Sequence, residues 1–311
     1  MRSAEALCYG GCLSDKERPL GWFDGFGIRD VATSGTVIHT RCGGSGPPVL
    51  LLHGHPETHL MWRHVAPALA GRFTVVTADL RGYGASGKPS TDADHTPYSK
   101  RAMALDMAEV MACYGHDRFA VVGHDRGGRV AHRLARDHRD RVTRLAVLDI
   151  CPTLDMYEQA DMAFARAYYH WFFLIQPYDL PERMIGADPA YYLRSMLDRG
   201  FGGDIFPVDV KAEYLRHFAR PETIHAICED YRAGAGIDLA HDRSDRDRLL
   251  DIPVLALWGA KGLVGRTYDV PAVWRTYTSG PVTGSALPCG HYLPEEVPAE
   301  TLAALLPFLE G

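Results

Sequence analysis

The chain has 311 residues, of which 46% are hydrophobic and 23% are charged, the ordinary balance of a globular protein. Its 33 basic and 39 acidic residues give a net charge of −6 and form no basic tract, so we expect no nucleic-acid partner. The apolar runs are too short to span a bilayer and no secretory signal is visible, so we expect a cytoplasmic protein without membrane association.

Residues 1–25 show no hydrophobic periodicity and are predicted to form an extension before the fold. Cys8 and Cys12 lie there, but no second ligand pair follows at a zinc-like spacing, and seven cysteines are an odd number for a disulfide framework. A short alternating strand is predicted at 35–41. Continuous apolar runs then predict strands at 49–52, 73–79, 119–123, 145–150 and 254–258, and helical spacing predicts helices at 98–114, 126–138 and 299–309.

Strands that alternate with helices predict an α/β fold, with a mostly parallel central sheet and helices on both faces. The alternation stops between residues 151 and 248, a stretch rich in Tyr, Phe, Met, Arg and Pro that reads as several short helices. We expect 151–248 to be a helical cap inserted after the sixth core strand. It would lie above the carboxyl ends of the strands, where such sheets bind ligands. Residues 26–150 and 249–311 would form the core.

An acidic residue occupies the predicted turn between a strand and a helix, in the run Gly123-His124-Asp125-Arg126-Gly127-Gly128-Arg129. The pattern Gly-x-nucleophile-x-Gly is typical of the α/β-hydrolase fold, where small residues allow a sharp turn that exposes the nucleophile. A carboxylate in place of the usual serine can displace a leaving group from an sp³ carbon and form an ester, which water then hydrolyses. The alternative is that Asp125 only caps the helix.

Hydrolysis of such an ester needs a base, and His291 lies late in the chain, before the predicted final helix, where this fold supplies its histidine. The acid that orients the histidine commonly follows the strand after the cap, but the run after Trp258 contains no acid. Asp149, at the end of a buried strand, is costly there unless it is paired. We therefore predict Asp149 as the partner, with Asp269 as the weaker candidate.

The turn His53-Gly54-His55-Pro56 follows the predicted strand 49–52. In this fold such a turn supplies a backbone N–H to the oxyanion hole, here that of His55, alongside the N–H of Arg126. His53, His55 and His59 could instead suggest a metal site, but the spacing lacks the further ligands of such motifs, so we predict neither metal nor cofactor.

Arg126 and Arg129 lie three residues apart at the start of one predicted helix, beside the nucleophile, so both can face one anion. A guanidinium pair would hold a substrate carboxylate and offset its repulsion from Asp125. The alternative is that either arginine forms an ion pair with a nearby acid. Aromatic residues of the cap are usually packing, although their N–H and O–H groups are suitable donors for a departing halide.

Several segments together resemble the haloacetate dehalogenases, in particular the fluoroacetate dehalogenase branch of the α/β-hydrolase superfamily. They are 53–59, 79–84, 123–129, 169–171, 228–234 and 290–296, in the family's order. The resemblance implies that Asp125, His291 and Asp149 are catalytic and that Arg126 and Arg129 bind the substrate carboxylate. It further implies that His170, Trp171 and Tyr231 bind the halide, that no cofactor is used, and that the protein is a homodimer. His55 stands where many relatives carry Phe.

The sequence therefore predicts a cofactor-free enzyme that converts fluoroacetate or chloroacetate to glycolate. An epoxide hydrolase of the same fold also uses Asp and His, but it needs paired phenols in its cap, and Arg126 argues against it. A haloalkane dehalogenase has no use for two arginines. A non-catalytic binding protein of this fold usually lacks a triad member, whereas all three candidates are present here.

Overall fold

The computed structural model describes residues 21–198 and 205–311, and one eight-stranded sheet forms their centre. The strands are β1 Gly27–Ala32, β2 Val37–Gly43, β3 Pro48–Leu52, β4 Thr74–Ala78, β5 Phe119–His124, β6 Val142–Leu148, β7 Val254–Gly259 and β8 Val282–Leu287. Their order across the sheet is β1-β2-β4-β3-β5-β6-β7-β8. The pairs β1–β2 and β2–β4 are antiparallel, and all other neighbours are parallel.

Helices cover both faces of this sheet, which explains the continuous apolar strands. The helices of the core are α1 Ala66–Leu69, α2 Lys100–Cys113, α3 Asp125–Asp137, α12 Leu263–Thr267, α13 Val270–Arg275, α14 Leu293–Glu296 and α15 Pro298–Glu310. Helix α3 packs on β5, β6 and α2. Strands β3 and β5 are buried along almost their entire length, so the carboxyl end of β5 meets α3 in the interior of the molecule.

Eight helices of the described chain lie between β6 and β7. They are α4 Thr153–Glu158, α5 Met162–Ala167, α6 Tyr169–Phe173, α7 Leu180–Ala187, α8 Pro189–Leu197, α9 Val208–Phe218, α10 Pro221–Ala235 and α11 Ile237–Ser244. The predicted fold class, a mostly parallel sheet with a helical insertion after the sixth strand, is confirmed. The boundaries of the cap at 151 and 248 as a separate unit stay a prediction.

Two strands were not predicted, namely β1 before the first predicted strand and β8 near the end of the chain. Residues 1–20 of the predicted N-terminal extension, with Cys8 and Cys12, lie outside the described residues. Across the part of the chain that the structure describes, no helix combines the length and the apolar character needed to cross a membrane.

Candidate active site

Asp125 is the first residue of α3 and directly follows β5. Its φ of 44° lies in the left-handed region, which a residue with a side chain adopts only where its surroundings impose it. Two glycines permit this turn. A Cβ on Gly127 would lie 2.4 Å from the carbonyl oxygen of His53, and one on Gly123 would lie 2.4 Å from that of Gly127. The glycine pattern thus holds the Asp125 carboxylate at the carboxyl edge of the sheet.

The Asp125 carboxylate is 5% exposed and ionised. Burial opposes its negative charge, but the positive charges of His291 and Arg129 outweigh this effect and hold the pKa of Asp125 well below its ordinary value. The backbone N–H of His55 donates to Oδ1 of Asp125 at 2.9 Å. Within the described chain no hydrogen bond engages Oδ2, which leaves that oxygen available for attack.

His291 lies between β8 and α14, and its Nδ1 is 2.6 Å from Oδ2 of Asp149. Asp149 directly follows β6, and its Oδ1 accepts from the N–H of Gly259 at 3.0 Å. Burial lowers the pKa of His291, but the hydrogen bond and charge of Asp149 and the charge of Asp125 outweigh this and raise that pKa to about 9. Asp269, the weaker candidate, is exposed and caps α13 through a bond to Ala272.

Behind this pair lies a second histidine, His124, the last residue of β5. Its Nε2 donates to the carbonyl oxygen of His291 at 2.7 Å, and its Nδ1 lies 3.3 Å from Oε2 of Glu57. Burial raises the pKa of the Glu57 carboxyl. Sequence reasoning assigned no role to His124 or Glu57, and here they support the backbone of the predicted base.

Arg126 is fully engaged with an acid of the cap. Its Nε and Nη2 donate to the two carboxylate oxygens of Asp230 on α10, each at 2.8 Å, and Nη2 also donates to the Asp230 carbonyl oxygen. Lys100 and the hydroxyl of Tyr83 also bond to the Asp230 carboxylate. Burial opposes the Arg126 charge, but Asp230 outweighs it and raises the pKa of Arg126. The ion pair considered for either arginine is therefore found at Arg126.

Arg129 has a different environment, although it is equally buried. Its Nη1 donates to the Cys151 carbonyl oxygen at 3.1 Å and to Oγ1 of Thr153 at 3.0 Å, and its Nη2 contacts Sδ of Met156 at 3.3 Å. All three acceptors are neutral, and no carboxylate among the described residues lies within 4.0 Å. Burial therefore lowers the pKa of Arg129, and the largest opposing effect is the charge of Asp125.

The cap side chains predicted to bind halide lie beside the guanidinium groups of Arg126 and Arg129. Trp171 Nε1 and the Tyr231 hydroxyl are buried and have no hydrogen-bond partner within residues 21–198 and 205–311. The Arg129 guanidinium lies over the Trp171 indole at 4.6 Å, and that of Arg126 lies over the Tyr231 ring at 4.1 Å. The His170 ring is 5.8 Å from the Tyr231 ring. The two arginines thus fix the orientation of two predicted halide donors.

His55 and Tyr168 contact the same group of side chains. The His55 ring stacks at 6.2 Å on that of His170 and meets the Tyr231 ring edge-on at 5.5 Å. The Tyr168 ring lies 6.5 Å from that of His291. Burial raises the pKa of both the Tyr168 and Tyr231 phenols, so both remain protonated donors near Asp125.

The histidines considered as metal ligands have other partners. His53 donates from Nδ1 to the Gly54 carbonyl oxygen and accepts from the Leu80 N–H at Nε2, and burial lowers the pKa of His53 to about 4. Two clusters of described residues do place potential ligand atoms within 4.8 Å of one another: His39, His59 and Asp79, and Glu182, His225 and Glu229. In each cluster an arginine, Arg41 or Arg232, already donates to a member. We interpret both as hydrogen-bond networks.

Asp230 is the main contact of the site that sequence reasoning missed. It immediately precedes Tyr231, inside the segment 228–234 that carries part of the family resemblance. An acid on the buried face of a cap helix is the signal that could have identified it, because a buried carboxylate requires a positively charged partner. Thr153, which accepts from Arg129, carried no comparable signal.

Comparison with known proteins agrees with this geometry. The chain matches the family described as alpha/beta hydrolase fold over residues 47–296. A fluoroacetate dehalogenase of Burkholderia sp. is 45% identical over 289 residues, covering 92% of this chain and 95% of that protein. A soluble epoxide hydrolase of Corynebacterium sp. is 37% identical over 279 residues, covering 88% and 94%. A solved structure of a candidate α/β hydrolase from Nostoc sp. is 55% identical, with a TM-score of 0.90, covering 91% of this chain and 98% of that one. The chain belongs to the α/β-hydrolase fold family, as a hydrolase of the group that includes fluoroacetate dehalogenases and epoxide hydrolases.

Proposed function

We propose that the protein is a hydrolytic dehalogenase that releases halide from a short 2-haloacid, fluoroacetate or chloroacetate, and forms glycolate. The observation that carries the proposal is the environment of Arg129, a buried cation that contacts only neutral acceptors. A buried charge without a counter-charge is costly, so its retention beside a carboxylate nucleophile favours an anionic substrate. The 45% identical fluoroacetate dehalogenase supports the same substrate class.

In the first step, Oδ2 of Asp125 attacks the carbon that bears the halogen, and the carbon–halogen bond breaks as the new carbon–oxygen bond forms. The halide leaves with the bonding electron pair. Arg129 binds the substrate carboxylate, with Arg126 held beside it by Asp230. Trp171, Tyr231 and His170 surround the departing halide, and the first two have buried donors without a partner among the described residues. Such donors matter most for fluoride, which leaves only when its charge is stabilised.

In the second step, His291 removes a proton from water, which attacks the carboxyl carbon of the Asp125 ester. Asp149 orients the imidazole through the 2.6 Å contact to Nδ1, which leaves Nε2 to accept the proton. The charge of Asp125 helps to raise the pKa of His291 in the resting enzyme. Because the ester is neutral, its formation lowers that pKa and makes the imidazole a base. The N–H groups of His55 and Arg126 would stabilise the tetrahedral oxyanion.

An epoxide hydrolase is the second candidate, favoured by the phenols of Tyr168 and Tyr231 near Asp125 and by the 37% identical relative. Two protonated phenols could donate to an epoxide oxygen while Asp125 attacks the ring carbon. This reading leaves the charge of Arg129 without a function, which is why we place it second.

The test is to incubate purified protein with fluoroacetate, chloroacetate and a styrene-type epoxide and to measure halide and diol. Halide release, lost in Asp125→Ala, is expected, whereas diol without halide would establish the epoxide hydrolase. Repeated turnover in ¹⁸O-water should label the Asp125 carboxylate. Label found only in glycolate after the first turnover would indicate direct attack by water. The homodimer implied by the resemblance stays a prediction for sedimentation analysis.

A further inference from the structure

Four arginines follow one face of α3, starting beside the nucleophile. Arg126, Arg129, Arg133 and Arg136 are spaced by three, four and three residues, and all are buried. Arg126 pairs with Asp230, and Arg133 pairs with Asp137, with Asp245 and, at 3.6 Å, with Asp242. Arg129 has no ion pair among the residues described. Within residues 21–198 and 205–311, Arg136 has only Asp242, at 3.8 Å and without a hydrogen bond. Arg129 and Arg136 are thus the least neutralised arginines of this face.

A small cavity lies along this face, lined by Lys100, Arg129, His132, Arg133, Thr153, Asp238 and Asp242. The space available to a ligand is about 10 Å³, enough for one water molecule or one monatomic ion. Arg129 lines the cavity and also faces Asp125, so a ligand in the cavity shares this guanidinium with the active site.

Hydrogen-bond donors outnumber acceptors among the buried atoms of these lining residues. The Nε atoms of Arg129 and Arg133 have no hydrogen-bond partner in the described chain, against one such carboxylate oxygen, Oδ2 of Asp238. A buried donor without an acceptor is costly, so the cavity favours a ligand that accepts several hydrogen bonds at once.

We propose that this cavity is a second anion site, which binds a single halide ion and competes electrostatically with the substrate carboxylate for Arg129. The volume of about 10 Å³ suits a monatomic ion, and the halide would be the ion that the reaction releases. The competition rests on the proposed function, whereas halide binding itself does not. Halide in the cavity weakens substrate binding, and bound substrate weakens halide binding in the cavity. Thermodynamic linkage requires that the two factors are equal.

Chloride binding can be measured without turnover, from the ³⁵Cl NMR line broadening that the protein causes at constant ionic strength. In the wild-type protein with glycolate saturating the active site, part of the broadening should remain. In Arg133→Gln this residual component should weaken about tenfold or more, because a unit charge has been removed. Arg139→Gln is the matched control, since Arg139 pairs with Asp251 away from the cavity.

Asp242→Asn gives a change of opposite sign, which unfolding cannot imitate. It removes a repelling carboxylate, so the residual chloride component should tighten. The proposal is overturned if both cavity variants bind chloride like Arg139→Gln, with and without glycolate. If glycolate displaces no chloride at all, the proposed function fails instead, and the cavity is still judged from the variants without glycolate.

Discussion

The two arginines beside Asp125 should respond differently to replacement by methionine. Arg126→Met should destabilise the fold, whereas Arg129→Met should impair catalysis with little effect on the fold. In Arg126→Met, the cap acid Asp230 loses its bidentate partner in a buried position. Breaking a buried ion pair from one side costs about 3–5 kcal/mol, and the remaining bonds from Lys100 and Tyr83 place this variant near the lower value, about 3 kcal/mol.

Arg129→Met should be far less damaging to the fold. The substitution removes three bonds to neutral acceptors, which cost about 1 kcal/mol each, and leaves those acceptors partly unsatisfied. It also removes a buried cation that has no carboxylate within 4.0 Å in the described structure, a desolvation cost of several kcal/mol. We expect a free energy of unfolding within about 1 kcal/mol of the wild-type value, or above it.

Activity should respond to Arg129→Met in the opposite way from stability. A residue with a merely structural role would lose activity only to the extent that the fold is destabilised. Arg129→Met loses a charge-assisted contact of about 3 kcal/mol to the substrate carboxylate, which lowers kcat/KM for chloroacetate about 100-fold. Urea unfolding followed by circular dichroism, with Arg139→Met as the surface control, measures the stability arm. If Arg129→Met is destabilised as much as Arg126→Met, Arg129 is a structural residue and the substrate argument fails.

Three further predictions concern the triad and the halide donors. Asp149→Asn should lower kcat about 10³-fold while the exposed Asp269→Asn leaves kcat unchanged; equal rates in steady-state assays would reject Asp149 as the partner of His291. Because the pKa of His291 is raised to about 9 from 6.5, its contribution of at most about 3 kcal/mol to folding is complete below pH 6.5 and disappears as the pH rises through 9. Urea titrations should show this loss in the wild-type protein and a smaller loss in Asp149→Asn, where the charge of Asp125 remains. Trp171→Phe, which removes an indole donor, should slow fluoride release roughly tenfold more than chloride release, as ion-selective electrodes can measure; equal losses would place Trp171 outside the halide site.

Local patterns were sufficient to select Asp125 and His291 as candidates for the nucleophile and its base, roles that stay predictions. The glycines around Asp125 have a steric role within the turn itself, because a Cβ on Gly123 would lie 2.4 Å from the carbonyl oxygen of Gly127. Asp149 could be selected over Asp269 because a carboxylate at the end of a buried strand needs a partner. The contact between Asp149 and His291 agrees with that reasoning.

Two kinds of feature could not be predicted from local patterns. They are ion pairs between residues far apart in the sequence and strands of polar sequence at the edge of the sheet. Arg126 and Asp230 are 104 residues apart, and nothing in the sequence near Arg126 distinguishes its charge from that of Arg129. Strand β8 was missed because its sequence, VTGSAL, is largely exposed and lacks an apolar pattern. It is a strand because it pairs with β7, which is tertiary context rather than local preference.

The position of Asp230 has a consequence for how substrates are selected. This single residue of the cap is bonded to Arg126, Lys100 and Tyr83, all of which belong to the core. Moving α10 away from the core would separate these buried charges, so the ion pairs of Asp230 oppose such a displacement. Under the proposed function, the size of the substrate would then depend on the side chains around Asp125. A side chain such as His55 could be replaced without moving the residues proposed to break the carbon–halogen bond.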